Sequence, residues 1–258
     1  MNRIYYFTGT GNSLHIAKTI QQSIEDTELI SVTDVLSTKD KIVIKGDRVG
    51  FIFPVYFARL PVVVQNFMEK VDCIQANFTF SIITGGGLFG SLLKELNKIL
   101  IKKNSQLDAG YLIKMPSNHP KIAHLQKRTN NEILQVAISQ MEKIKILVEH
   151  KKPNELVVSP MIIGRLITQF AFKKPYMQSQ LGELDKVFSV NESCANCGKC
   201  VSYCPVKNIS LDKGHVEWLH QCINCVRCYH LCPQSAIQFG SDTMERYLNP
   251  IIEIEELS

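Results

Sequence analysis

Apolar and polar positions change period repeatedly through the N-terminal half of the chain, and the changes set out alternating strands and helices. Ile4, Tyr5, Tyr6 and Phe7 form a run that reads as a buried first strand and is too short for a signal peptide. After residues 8–13, Leu14, Ala17, Ile20 and Ile24 recur at helical spacing. Further strands are expected near 28–33, 48–53, 78–84 and 108–114, and helices near 61–71, 88–103 and 130–149, with Pro61 in the first turn of its helix. Strands alternating with helices in this way predict an α/β fold around a doubly wound parallel sheet.

The loop between the first strand and helix is Thr8-Gly9-Thr10-Gly11-Asn12-Ser13. A glycine-rich loop at a helix N-terminus offers converging N–H groups and the positive end of a dipole, which suit a phosphate. It lacks the Gly-Lys-Ser/Thr of a Walker loop and the G-x-G-x-x-G of a dinucleotide fold. Thr8-x-Thr10-Gly11-x-Ser13 resembles the phosphate loop of flavodoxins. The resemblance implies FMN as cofactor and a sheet of order 2-1-3-4-5 that binds its ligand outside the carboxyl ends of the strands. Two further strand ends would then flank the isoalloxazine ring: Pro54, Val55, Tyr56 and Phe57, and Thr84, Gly85, Gly86 and Gly87. The aromatic residues offer ring faces, and the glycines let backbone approach the flavin edge. Pro54-Val-Tyr-Phe-Ala-Arg-Leu-Pro61 contains no glycine, unlike many flavodoxins. Its P-x-Y-x4-P spacing is closer to flavodoxin-like NAD(P)H:flavin reductases, which implies a site that accepts hydride.

Eight of the nine cysteines fall into two copies of one pattern. Cys194, Cys197, Cys200 and Cys204 precede Pro205; Cys222, Cys225, Cys228 and Cys232 precede Pro233. Zinc would leave the third cysteine of each run and the Cys-Pro unexplained, and disulfides belong to secreted chains. The C-x2-C-x2-C-x3-C-P run resembles bacterial two-cluster 4Fe-4S ferredoxins, in which the fourth cysteine of each run ligates the other cluster. That resemblance assigns Cys194, Cys197, Cys200 and Cys232 to one cluster and Cys222, Cys225, Cys228 and Cys204 to the second. The repeat extends past the cysteines, with Pro205-Val-Lys-Asn-Ile209 aligning with Pro233-Gln-Ser-Ala-Ile237. Cys73 reads as an ordinary thiol.

The whole chain of 258 residues is similar to prokaryotic flavodoxin–ferredoxin fusion proteins. Its expected parts are a flavodoxin-like domain at 1–152, a connecting helix and linker at 153–189, a small α+β two-cluster ferredoxin domain at 190–240 and a tail at 241–258. The stretch 160–174 is apolar with basic ends, too short and interrupted to span a bilayer. The formal charge of +5 is uneven, balanced over 1–93, +9 over 94–174 and −4 over 175–258. Two clusters at roughly −2 each and an FMN phosphate at roughly −2 would bring the total to about −1, so the basic excess does not point to nucleic acid. Asn118 and His119 lie near the sheet edge, within reach of flavin or substrate, but a capping turn with surface polar groups is the expected role. His15, His124, His150, His215, His220 and His230 show no metal spacing.

These readings converge on a cytoplasmic iron-sulfur flavoprotein that moves electrons between FMN and two 4Fe-4S clusters. It is expected to be an oxidoreductase exchanging electrons with ferredoxin, NAD(P)H, a quinone or another small acceptor. The alternative is a carrier between larger redox enzymes. Neither nucleic acid nor a membrane is expected as partner. A segment this small needs its clusters as folding free energy. Removing iron from the reconstituted protein with a chelator should therefore abolish amide exchange protection across 190–240 and leave that of the sheet intact.

Overall fold

The computed structural model describes residues 1–156, 183–241 and 243–257; the stretch 160–174 and most of the expected linker lie outside them. The described residues form two compact units, one of 1–8, 12–116 and 128–156, the other of 9–11, 117–127, 183–241 and 243–257.

The first unit is built on five parallel strands in the order β2-β1-β3-β4-β5: β1 Asn2–Tyr6, β2 Thr27–Ser31, β3 Ile42–Pro54, β4 Val71–Gly85 and β5 Ala109–Lys114. This is the flavodoxin-like order expected from the sequence. Its helices are α1 Asn12–Ser23, α2 Val32–Ser37, α3 Val62–Lys70, α4 Leu92–Ile101 and α6 Asn130–Glu149; the short α5 Pro120–Ala123 belongs to the second unit. Alternation along β1 sends neighbouring side chains to opposite faces. Ile4 joins a core with Ile16, Ala17 and Ile20 of α1 and Leu134, Ala137 and Met141 of α6. Tyr5 packs its ring 5.2 Å from Phe67 of α3.

α6 coincides with the expected 130–149 because its start is capped reciprocally. The Thr129 hydroxyl accepts from the Glu132 N–H, and the Glu132 carboxylate accepts from the Thr129 N–H at 2.8 Å. Other boundaries moved for physical reasons. β3 and β4 begin earlier than the apolar runs at 48–53 and 78–84, because Ile42 to Gly46 pair with Val71 to Ala76 beyond those runs. Cys73 thus lies within β4, half-buried. α4 starts at Leu92 rather than near 88, since Gly87 and Gly90 have φ of 130° and 56°, outside the helical region. Pro61 is the N-cap of α3, one residue before its first turn.

The second unit pairs β6 Phe188–Val190 with β9 Ile237–Phe239, and β7 Ile209–Asp212 with β8 His215–Trp218, both antiparallel. Two short helices complete it, α7 Lys199–Tyr203 and α8 Arg227–Leu231. The helices start 28 residues apart (199 to 227), and so do β7 and β9 (209 to 237). The repeat reaches the backbone. Asn196 and Asn224, Gly198 and Val226, and Lys207 and Ser235 all have positive φ at the same offset.

Gly50 marks very tight packing within the sheet, since a Cβ there would lie 2.4 Å from Cζ of Phe80, which is fully buried. Gly50→Ala is expected to destabilise the first unit by about 1–3 kcal/mol through overpacking, read as a lower urea midpoint of its unfolding transition.

Candidate functional site

The β1–α1 loop is short and dense in hydroxyls. Thr8, Thr10 and Ser13 are all nearly fully buried, Gly11 has a φ of 90°, and Asn12 and Ser13 open α1. The first turn of α1 carries no acidic residue, so nothing there opposes an anion at its positive end. The Ser13 hydroxyl lies 2.9 Å from that of Thr84, the penultimate residue of β4, and the Asn12 amide donates to the Pro116 carbonyl.

The second loop leaves β3 at Pro54. Val55 donates its N–H to the Thr84 carbonyl at 2.8 Å, and Tyr56 and Arg59 exchange two backbone hydrogen bonds. Phe57 and Ala58, between them, both have positive φ, 51° and 54°. Two consecutive non-glycine residues in the left-handed region form a strained turn of the I′ kind. Tyr56 and Phe57 are half-buried, and the Tyr56 ring meets Phe7 edge-on at 6.1 Å. The buried Nε of Arg59 has no partner among the described residues, an orphaned donor of the sort a bound cofactor would satisfy. In the third loop, a Cβ on Gly85 would strike Val55 at 2.3 Å, whereas Gly87 faces open space. Gly85 ends β4, and Gly86 and Gly87 follow it. This donor set fits a phosphorylated planar ligand.

In the second unit, Cys194, Cys197, Cys200 and Cys232 line one cavity. Burial pushes up the Cys200 thiol, and the nearby thiols of Cys232 and Cys194 add to the shift. Burial also raises Cys222 to about 12, with Cys225 and Cys204 contributing, and raises Cys225 to about 11. Cys228 is pushed well up by burial, with Cys225, Cys222 and Cys204 as its neighbouring charges. The fourth cysteine of each run therefore stands with the first three of the other. Matching amides attend the two exchanged thiols: Asn208 N–H donates to Cys204 Sγ at 3.2 Å, and Ala236 N–H to Cys232 Sγ at 3.3 Å. Among the described residues no group of three or more His, Cys, Asp or Glu is arranged to hold a single metal ion. A cubane makes a different demand, since each thiolate meets its own iron. Buried thiols protonated at neutral pH would release protons on binding iron.

Several polar residues of this unit had no signal in the sequence. Asn118 donates its side-chain amide to Thr10 Oγ1 at 2.9 Å, and its carbonyl accepts from His230 Nε2 at 2.6 Å. His230 Nδ1 in turn accepts from the Tyr247 N–H, which fixes the neutral tautomer. His119 packs edge-on against Phe239, and its Nε2 accepts from the Asn224 amide. Asn118 and His119 are thus wired into the cysteine unit rather than forming a solvated capping turn.

Residues 193–237 match the family described as 4Fe-4S dicluster domain. No curated protein matches the chain by sequence. Among solved structures, an FMN-dependent NADH-azoreductase from Bacillus anthracis in complex with FMN aligns at 10% identity and a TM-score of 0.41, covering 57% of this chain and 99% of that one. Two-electron reduced flavodoxin from Megasphaera elsdenii aligns at 19% identity and a TM-score of 0.33, covering 49% and 96%. Rubredoxin oxygen:oxidoreductase from Desulfovibrio gigas aligns at 14% identity and a TM-score of 0.31, covering 58% of this chain and 36% of that chain. Strand order and cysteine motif define the class: a flavodoxin-like α/β unit joined to a 4Fe-4S ferredoxin segment. Both parts agree with the flavodoxin–ferredoxin resemblance read from the sequence. Among the described residues no helix is long and apolar enough to cross a membrane.

Burial lowers the His230 pKa to about 4. A folded-state value below the ordinary 6.5 means that the unfolded chain binds the extra proton first, so this contribution is whole above pH 6.5 and lost as pH falls through 4. His230→Gln keeps a donor and an acceptor but cannot charge. Its thermal midpoint should fall less than the wild type's between pH 6.5 and 5.

Proposed function

We propose that the protein is an iron-sulfur flavoprotein in which Cys194, Cys197, Cys200 and Cys232 hold one 4Fe-4S cluster, Cys222, Cys225, Cys228 and Cys204 hold a second, and FMN occupies the loops at the carboxyl edge of the sheet. The observation that carries this reading is the exchange of the fourth thiols, which no zinc or disulfide scheme requires. Thr8 to Ser13 receive the phosphate through hydroxyls, backbone N–H groups and the start of α1. Tyr56, Phe57 and Gly85 to Gly87 shape the space for the ring, with Pro54, Val55 and Thr84 bracing the strand ends that carry them.

Bound FMN supplies a centre that takes electrons in pairs or singly, while clusters pass one at a time. The chain's own contribution is access and insulation. Cys197 is exposed, whereas Cys222, Cys225 and Cys228 are buried. Electrons accordingly enter or leave through the first cluster, and the second is an internal relay. The activity this supports is an oxidoreductase that couples a two-electron donor or acceptor at the flavin to a one-electron partner at the exposed cluster. Ferredoxin suits the cluster side, and NAD(P)H or a small acceptor the flavin side.

Anaerobic reconstitution with iron, sulfide and FMN should give about eight irons per chain. In stopped flow, flavin bleaching by NADH or NADPH followed by cluster reduction supports a reductase. Reduction by ferredoxin alone, with no saturable small substrate, makes the protein a carrier. Cys204→Ser should remove the cluster of the second motif although it lies in the first, halving the iron content; loss of the first motif's cluster instead would refute the exchanged ligation.

A further inference from the structure

Arg227 stands between Cys225 and Cys228 at the start of α8 and is 7% exposed. Its Nε donates to the Gly9 carbonyl at 2.9 Å, and its Nη1 to the carbonyls of Tyr203 at 3.1 Å and Leu257 at 2.6 Å. The next carbonyl of the loop is fixed as well, since Thr10 O accepts from the Asn249 N–H at 2.9 Å. Asn249 and Ile252 also close over Gly11, where a Cβ would meet them at 3.0 and 3.1 Å. All these residues belong to the cysteine-bearing unit.

A trans peptide holds its C=O and the following N–H in one plane, pointing opposite ways. Turning Gly9 O toward Arg227 and Thr10 O toward Asn249 therefore aims the N–H groups of Thr10 and Gly11 away from both donors, as an anion-binding loop requires. The guanidinium is also close enough to Cys225 for its charge to favour the thiolate. It would favour in the same way the extra negative charge that a cluster gains on reduction.

We infer that Arg227 is a positioning residue for both cofactors: its guanidinium fork orients the Gly9 peptide of the phosphate loop, and its charge raises the potential of the cluster held by Cys222, Cys225, Cys228 and Cys204. This rests on the function proposed above. A buried guanidinium used only as a structural clamp would move stability and neither cofactor property.

The test uses full-length chain, anaerobically reconstituted with iron, sulfide and FMN. FMN affinity is read by flavin fluorescence and the midpoint potential of each cluster by EPR-monitored titration. Arg227→Gln should weaken FMN by about tenfold, the loss expected for a charge-assisted hydrogen bond, and shift one cluster's midpoint negative while the other stays put. Arg227→Lys keeps the charge and loses the fork, so FMN weakens while both potentials stay near wild type. Should Arg227→Gln fail to take up iron, Arg227→Met serves as the neutral variant for the potential, and Arg227→Lys decides the FMN half. FMN affinity within twofold of wild type in every variant that loads, or unshifted potentials in a loaded Arg227→Gln or Arg227→Met, overturns the inference. Failure of the wild type itself to bind FMN or about eight irons overturns the underlying function instead.

Discussion

In a parallel sheet every strand delivers the chain to the same edge, and each candidate flavin residue depends on that constraint. The pairing continues one step past the strands: Phe7 N–H reaches Ile52 O, Val55 N–H reaches Thr84 O and Met115 N–H reaches Gly85 O. These bonds fix the departure points of the β1, β3 and β5 loops, so a strained turn such as Phe57-Ala58 can be held by its frame rather than by its own sequence. The sheet contributes none of the chemistry. It sets where hydroxyls, glycines and aromatic rings are presented, which is why the same architecture accepts different loops.

The cysteine unit obeys a second constraint, duplication with exchange. Its halves match in helix start, strand start and three left-handed residues, yet each gives its fourth thiol to the other. Under the proposed ligation neither half would complete a cluster alone, which couples the two halves. At one matched position the residue types differ at an energetic cost. Gly198 has a φ of 71°, and its counterpart Val226 has a φ of 53°. A β-branched residue there costs roughly 1–2 kcal/mol of strain. Val226 is almost fully buried in the unit's core beside Tyr229 and Phe239, and burying its side chain offsets a cost of that size.

What was legible in the sequence was whatever local period or spacing encodes. The order of strands, the capped α6 and the cysteine pattern are of this kind, because each is written in residues a few positions apart. The early starts of β3 and β4 were not legible. Gly46, Asp47, Gln75 and Asn77 interrupt the apolar pattern, and only pairing between the two strands extends them. Nor were Arg227, His230 and Asn249, whose partners Gly9, Asn118 and Thr10 lie more than a hundred residues away. Asn118 shows the limit most clearly. Its turn-forming neighbours favour a local role, and its actual partners are supplied by distant chain. Isolated long-range hydrogen bonds of this type leave no periodicity to read.

The unequal burial of the two thiol sets poses an electrostatic problem that the surrounding residues answer. In the function proposed above, reducing a cluster adds negative charge, and excluding water from Cys222, Cys225 and Cys228 would by itself make the cluster proposed there the harder to reduce. An internal relay much harder to reduce than its neighbours would block the path. The chain places donors and a charge there instead: Asn224 N–H on Cys222 Sγ, Asn208 N–H on Cys204 Sγ, and the Arg227 guanidinium near Cys225. His230, two residues past Cys228, hydrogen-bonds the Asn118 carbonyl and accepts from the Tyr247 N–H. In the function proposed above, burial would insulate this cluster, and the donors on its thiols would offset the burial.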